Sequence, residues 1–286
     1  GEKSARIDDD LTTIGGEDPQ IPVQLGDTAM LIYTSGTTGR PKGAMITHAN
    51  FIRHCDLDAP ELPSWLGISP DEIALVVLPL FHVGGLEFSL RPMFTRATII
   101  LHREFDVPSV LRDIQRYRVT MAGLVPTGLQ MMLDHPSAAA ADLSSIRKFL
   151  YGAAAIPIEL LKQGLEKIGC DFIQSYGMTE ANGVCVMLSP EDHHDREAER
   201  LRSAGRPTFG TEIRILDSAG AELAVREVGE FAVRSSGVMA GYWRRPDASA
   251  EVLIGDGWLR SGDAGYVDED GYVYICDRVK DMIVSG

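Results

Sequence analysis

Over the first two-thirds of the chain, short apolar runs alternate with stretches whose apolar residues recur three and four positions apart. Ala29 to Tyr33 reads as a buried strand feeding the loop after it, and Gly43 to Ile46 reads as a returning strand, with a helix beginning near Thr47-His48-Ala49-Asn50. Ile73 to Phe81, the most hydrophobic run, reads as a core strand although it contains Pro79. Val110 to Tyr117 has helix spacing, Val119 to Val125 reads as a strand ending at Pro126, and Gly128 to His135 reads as a second helix. Such alternation is the pattern of an α/β layer with a mostly parallel sheet and helices packed on it. Past a polar insert from Ser189 to Leu201 the texture changes. Glu212 to Leu216, Gly229 to Val233 and Gly271 to Ile275 are short strands between Gly and Asp turns, which predicts a small antiparallel, barrel-like unit. The chain thus divides into an exposed lead-in over 1–26, marked by Asp8-Asp9-Asp10 and Gly15-Gly16, an α/β subdomain over 27–200, a β-rich subdomain over 201–276 and a closing segment over 277–286.

Composition narrows the classes of partner. At 286 residues the chain can bury a full core. Its net charge of −14 argues against nucleic acid or an anionic membrane, because the Lys/Arg excess that such binding draws on is absent. An anionic substrate must then be met by local donors and a metal ion. No apolar run is long enough to be an integral membrane segment, and Gly1-Glu2-Lys3-Ser4 does not resemble the start of a signal peptide. Cys55, Cys170, Cys185 and Cys276 lie far apart with no C-x-x-C pair, so a reduced, cytoplasmic compartment is the simple expectation. His193-His194-Asp195 is a weak metal candidate, since adjacent positions rarely converge on one ion; the run around it reads as a solvated loop.

The strongest chemical signal is Tyr33-Thr34-Ser35-Gly36-Thr37-Thr38-Gly39-Arg40-Pro41-Lys42-Gly43. Glycines let backbone N–H groups turn toward an anion, the hydroxyls of Thr34, Ser35, Thr37 and Thr38 add donors, and Lys42 supplies a mobile positive charge. The loop suits a polyphosphate. It is not the common NTPase loop, in which Gly-Lys-Ser/Thr opens a helix; here the lysine follows a proline.

Three further clusters follow in order. Gln174-Ser175-Tyr176-Gly177-Met178-Thr179-Glu180 comes after the strand-like Cys170 to Ile173, Trp258-Leu259-Arg260-Ser261-Gly262-Asp263 precedes a turn at Gly265, and Asp277-Arg278-Val279-Lys280-Asp281 lies near the end. Each alone is a weak motif, and a lone Asp after Gly is usually a turn. With the loop, in this order, they resemble the adenylate-forming superfamily of acyl-CoA synthetases, luciferases and peptide-synthetase adenylation domains, over about Asp27 to Gly286.

The resemblance implies a role for each cluster. Thr34, Ser35, Gly36, Thr37, Thr38 and Gly39, with Lys42 behind them, would grip the β- and γ-phosphates of ATP, Thr179 would contact the α-phosphate, and Glu180 would hold Mg²⁺. Asp263 would accept both ribose hydroxyls and Arg278 would donate to ribose or phosphate. Gly152, Ala153 and Ala154 would border the adenine with Ser175 and a stacking Tyr176, and Gln174, Gly177, Met178 and Ile275 complete the expected nucleotide set. His82, in Leu80-Phe81-His82-Val83-Gly84-Gly85-Leu86, matches the aromatic-histidine pair of acyl and aryl ligases, where amino-acid-activating domains usually carry an aspartate. Lys42, His82, Thr179 and Glu180 are therefore the expected catalytic set, and the acyl pocket is expected near His82, Gly84, Gly152 and Met178.

The implied enzyme is an AMP-forming acyl-CoA synthetase. Its expected partners are a carboxylic acid, with a fatty acid foremost, ATP and coenzyme A as acceptor. An acyl-AMP ligase loading a carrier protein and a non-catalytic nucleotide-binding module are the alternatives. Family members end in a small mobile domain bearing a catalytic lysine, with its hinge at the residue matching Lys280, and carry a long region before the phosphate loop. The sequence is accordingly expected to be a fragment, with 277–286 leading to that further domain.

Overall fold

The computed structural model describes residues 20–34, 40–56, 63–194 and 199–279. Strands β1 (Thr28–Thr34) and β2 (Lys42–Thr47) form an antiparallel hairpin followed by helix α1 (His48–Asp56). A seven-stranded sheet comes next. Its strands are β3 (Ile73–Val76), β4 (Thr98–Leu101), β5 (Met121–Leu124), β6 (Lys148–Gly152), β7 (Asp171–Met178), β8 (Gly183–Leu188) and β9 (Arg206–Pro207), in the spatial order β4-β3-β5-β6-β7-β8-β9. The pairs from β4 through β7 are parallel, and β8 and β9 add on antiparallel. Helices α2 (Val83–Thr95), α3 (Val107–Tyr117), α4 (Pro126–Asp134) and α5 (Ile158–Ile168) make the crossovers.

A second, antiparallel sheet holds β10 (Glu212–Leu216), β11 (Gly229–Arg234), β12 (Leu253–Ile254), β13 (Trp258–Val267) and β14 (Val273–Arg278), with helix α6 (Pro246–Val252) before β12. The fold class is the expected one, an α/β layer followed by a curled antiparallel sheet. None of the described helices is long and apolar enough to cross a membrane.

Local sequence explains how the crossovers start and stop. In α3 the Asp106 carboxylate accepts the Ser109 N–H at 3.0 Å, Pro108 sits in the first turn, and the chain leaves the helix at Arg118 with φ +52°. Val107, Val110, Leu111 and Ile114 then lie on one face and bury it. In α5, Leu161, Leu165 and Ile168 do the same, and Gly169 at φ +67° ends the helix. Removing one such fully buried leucine, as in Leu161→Ala, costs about 2–5 kcal/mol.

Three expectations are corrected. The run Ala29 to Tyr33 forms a strand, but not a buried one: Ile32 alone is fully covered and Tyr33 is 59% exposed, because a hairpin strand offers only alternate residues to the core. Its buried residue joins Ala44 and Ile46 against Phe231, Val233 and Leu259 of the antiparallel sheet, and β2 is tied there by Met45 N–H to Gly241 O at 2.9 Å and Trp243 N–H to Gly43 O at 2.8 Å. The run Ile73 to Phe81 stays in the sheet only to Val76; the chain then turns at the carboxyl edge and leaves Leu80 and Phe81 exposed. His193, read as part of a solvated loop, is buried against Tyr151 and Phe172, because its ring finds polar partners at both nitrogens. Asp195 lies outside the described residues.

Candidate active site

The carboxyl ends of β5, β6 and β7 face two adjoining cavities, as expected for the ligand-binding edge of an open α/β sheet. The larger is an open cleft of about 600 Å³ between the two sheets. Ala153 and Ala154, just past β6, line one wall; Gln174, Ser175, Tyr176 and Gly177 of β7 form the floor; Asp263, Ile275 and Arg278 of β13 and β14 close the far side. Gly152 is required where β6 ends, since a Cβ there would run into the Ser175 carbonyl oxygen.

The polar groups of this cleft hold one another. Asp263, buried on β13, accepts the Tyr176 hydroxyl at 2.5 Å on Oδ2 and pairs with Arg278 Nε at 2.9 Å on Oδ1. The antiparallel register of β13 and β14 sets Arg278 directly opposite Asp263. Burial first, then the Asp263 charge, pushes the Tyr176 pKa up, so the phenol stays a donor. The Tyr176 ring packs edge-on against Phe231.

At the hairpin end a second cluster forms around Glu180. Its Oε1 accepts the Tyr242 hydroxyl at 2.7 Å and the Thr34 hydroxyl at 3.3 Å. Lys42, at the start of β2, is held rather than mobile: it is 9% exposed, with Nζ 4.8 Å above the Tyr242 ring. That corrects the expectation of a freely moving charge, and the cause is packing against an aromatic from the connection between β11 and α6, which bridges to Ala44 of β2. Burial and the Glu180 charge both push the Tyr242 pKa up. One carboxylate beside a hydroxyl suits Mg²⁺, which takes one or two carboxylates and fills its shell with phosphate oxygens and water. Among the described residues no group of three or more His, Cys, Asp or Glu could hold a metal alone.

The smaller cavity, about 140 Å³, is mostly apolar and is lined from α2, β5, β6 and β8. Phe88, Gly123, Leu150 and Met187 form its walls, and Ala153, Ser175 and Gly177 belong to both cavities. Two charged residues of α2, Glu87 and Arg91, are buried beside it. Glu87 Oε2 accepts the Val184 N–H at 3.1 Å, and Gly183, at φ +102°, must lack a side chain because a Cβ there would meet that carboxylate.

Of the expected residues, the structure gathers Ala153, Ala154, Gln174, Ser175, Tyr176, Gly177, Asp263, Ile275 and Arg278 around the cleft, and Thr34, Lys42 and Glu180 in the hairpin cluster. Gly152 lines the smaller cavity, Thr179 opens the short 3₁₀ turn that carries Glu180, and Met178 packs against the cluster that holds Ile32, Ala44 and Ile46. His82 does not line the cavity. It stands exposed at the N-terminus of α2 with its ring against Phe81, while Val83 and Gly84 face the cavity instead. Ser35, Gly36, Thr37, Thr38 and Gly39 lie outside the described residues. Sequence reasoning missed Tyr242, Tyr151 and Glu87; only Glu87 left a local trace, a charge inside the apolar stretch Leu86 to Leu90.

Comparison with known proteins follows the same lines. The family model described as AMP-binding enzyme matches residues 2–243. The chain is 44% identical over 281 residues to a feruloyl-CoA synthase of Amycolatopsis sp, covering 97% of this chain and 55% of that protein. It is 39% identical over 253 residues to the fatty acid–[acyl-carrier-protein] ligase ScoC of Streptomyces coeruleorubidus, covering 88% and 48%. Among solved structures, O-succinylbenzoate coenzyme A synthetase (MenE) from Bacillus subtilis in complex with ATP and magnesium ion superposes with a TM-score of 0.81 at 36% identity, over 97% of this chain and 56% of that one. The chain belongs to the AMP-binding enzyme family, the adenylate-forming superfamily that its four motifs resemble. It spans about half the length of the curated relatives it matches.

Proposed function

We propose that this chain carries the nucleotide- and acid-binding part of an ATP-dependent CoA ligase, which activates a compact carboxylic acid as acyl-AMP before its transfer to coenzyme A. The observation that carries the reading is that a polar cleft and an apolar cavity meet at Ala153, Ser175 and Gly177, where a carboxylate and an α-phosphate must come together. In this reading Asp263 and Arg278 orient the ribose and Thr179 contacts the α-phosphate. Glu180, with Thr34 beside it, would hold Mg²⁺, which neutralises phosphate charge when bound. Lys42 adds a fixed cation next to that cluster.

The acid oxygen attacks the α-phosphorus and pyrophosphate leaves; the coenzyme A thiol then attacks the acyl carbonyl, loses its proton and displaces AMP. Two anions meet in the first step, so orientation and fixed positive charge matter more than proton transfer. His82, exposed beside the cavity-lining Val83 and Gly84, would border the entering acid rather than exchange protons with it. We favour an aryl or short acyl acid over the fatty acid that the sequence resemblance put foremost: a cavity of about 150 Å³ takes a benzene-sized guest and this one is about 140 Å³, while the apolar cavity of about 800 Å³ that shares Leu78, Leu124 and Val125 with it is where a longer chain would run. The likeness to feruloyl-CoA and O-succinylbenzoate ligases supports the same choice.

Transfer to a carrier protein is the second reading, supported by the likeness to ScoC. The test is mass spectrometry of the chain, and of a protein extending it at either end, incubated with Mg-ATP and a panel of hydroxycinnamic, benzoic, short and long aliphatic acids. Acyl-AMP from the compact acids is expected, with robust turnover only in the extended protein. Acyl-AMP from long chains alone would reverse the substrate class, and none from either protein would remove the ligase reading.

A further inference from the structure

A buried chain of hydrogen bonds links the polar insert to the floor of the cleft. His193, 2% exposed, has Nδ1 2.6 Å from the Ser189 carbonyl oxygen and Nε2 2.9 Å from Tyr151 Oη. Tyr151, 1% exposed, in turn has Oη 3.2 Å from Gln174 Oε1, and Gln174 lines the cleft. Parallel pairing of β6 with β7 sets Tyr151 directly beside Gln174, which fixes this contact in the sheet.

Elementary donor counting orders the chain. A carbonyl oxygen only accepts, so His193 Nδ1 carries a hydrogen. Burial is the largest influence on this ring and lowers its pKa, outweighing the Ser189 carbonyl and Asp192, with His194 adding to the lowering. The neutral ring leaves Nε2 an acceptor, which takes the single Tyr151 hydroxyl hydrogen. Tyr151 Oη can then only accept from Gln174. A half-turn of the carboxamide, which exchanges its oxygen and nitrogen without moving other atoms, gives Oη a donor and turns the amide oxygen to the cleft.

We propose that His193 and Tyr151 are positioning residues that lock the Gln174 carboxamide with its carbonyl oxygen toward the base end of the cleft. A fixed acceptor there favours a purine bearing a 6-amino donor over one bearing a 6-oxo acceptor. This rests on the nucleotide reading of the cleft, and it adds a source of base selectivity two residues removed from the ligand.

The test is calorimetric binding of AMP and IMP to the chain and its variants. The unmodified chain should prefer AMP by about tenfold, the scale of one well-made hydrogen bond against an opposed pair of acceptors. Tyr151→Phe, which keeps the ring in the core, should bring the two affinities close to parity, and His193→Phe should do the same. Gln174→Ala should abolish the preference, with Tyr151→Phe adding nothing in that background. An AMP:IMP ratio unchanged in Tyr151→Phe, or an equal loss for both nucleotides, would overturn the positioning role while leaving the nucleotide site standing. No AMP binding by the folded, unmodified chain would overturn the nucleotide reading itself.

Discussion

The two cavities share Ala153, Ser175 and Gly177 yet are built on opposite principles. The cleft takes its polar side chains from strands of both sheets, with Asp263 already held by Tyr176 and Arg278, and in the neighbouring hairpin cluster Glu180 is held by Tyr242 and Thr34. The second cavity is smaller and mostly apolar, walled by Phe88, Leu150 and Met187. A ligand rich in charge is met by oriented groups whose geometry is paid for on folding, and a ligand that is mostly shape is met by packing. Discrimination among nucleotides should therefore follow hydrogen-bond partners, and discrimination among acids should follow volume.

The largest effect should come from the polar side. Glu180→Gln in the extended protein is expected to lower pyrophosphate release by about 10²- to 10³-fold, the range for losing one preorganised electrostatic group. Normal release at ordinary Mg²⁺ would detach Glu180 from the reaction. Asp263→Ala should weaken AMP binding by roughly 10- to 100-fold, as for charged hydrogen bonds, while acid selectivity stays as it was. Loss of acid selectivity in that variant, read by competition among acids, would break the separation between the two sites.

Leu150→Ala works from the other side. It should shift the preferred acid toward larger rings or longer chains and leave AMP affinity within about twofold, at a cost near 2 kcal/mol in stability. A changed AMP affinity with unchanged acid preference would reverse the assignment of the two cavities. The smallest effect concerns the wall behind the cleft. Because the folded His193 pKa lies below its ordinary 6.5, the unfolded chain binds more protons just below that pH. Its contribution is fully present above 6.5 and is lost as the pH falls toward the folded value. The melting temperature should thus fall more steeply on acidification in the unmodified chain than in His193→Phe, and equal slopes would show that His193 titrates alike in both states.

Much of this architecture was legible from local pattern. Strand β10 falls where its alternating residues put it, α3 holds the helix spacing read over Val110 to Tyr117, and the four motif clusters lie in the order that identifies the family. What went wrong was local exposure. Ala29 to Tyr33 is apolar throughout, and nothing within five residues says that only one face of a hairpin strand will be covered. His193 sits among charges in sequence, so its burial beneath Tyr151 had no nearby sign.

The sequence by itself determined the layered α/β plan and the family, and marked the phosphate-type loop and the carboxylates at Glu180 and Asp263 as candidates, because periodicity, turn residues and ordered motifs are properties of short stretches read in succession. Tertiary structure alone decided that Tyr242, from the connection between β11 and α6, would reach Glu180 and Lys42, that Tyr176 and Arg278 would share Asp263, and that the apolar cavity beside the cleft would be the smaller of the two. These depend on side chains far apart in the chain meeting in space, and such meetings are set by sheet order and core packing rather than by any pattern along the chain.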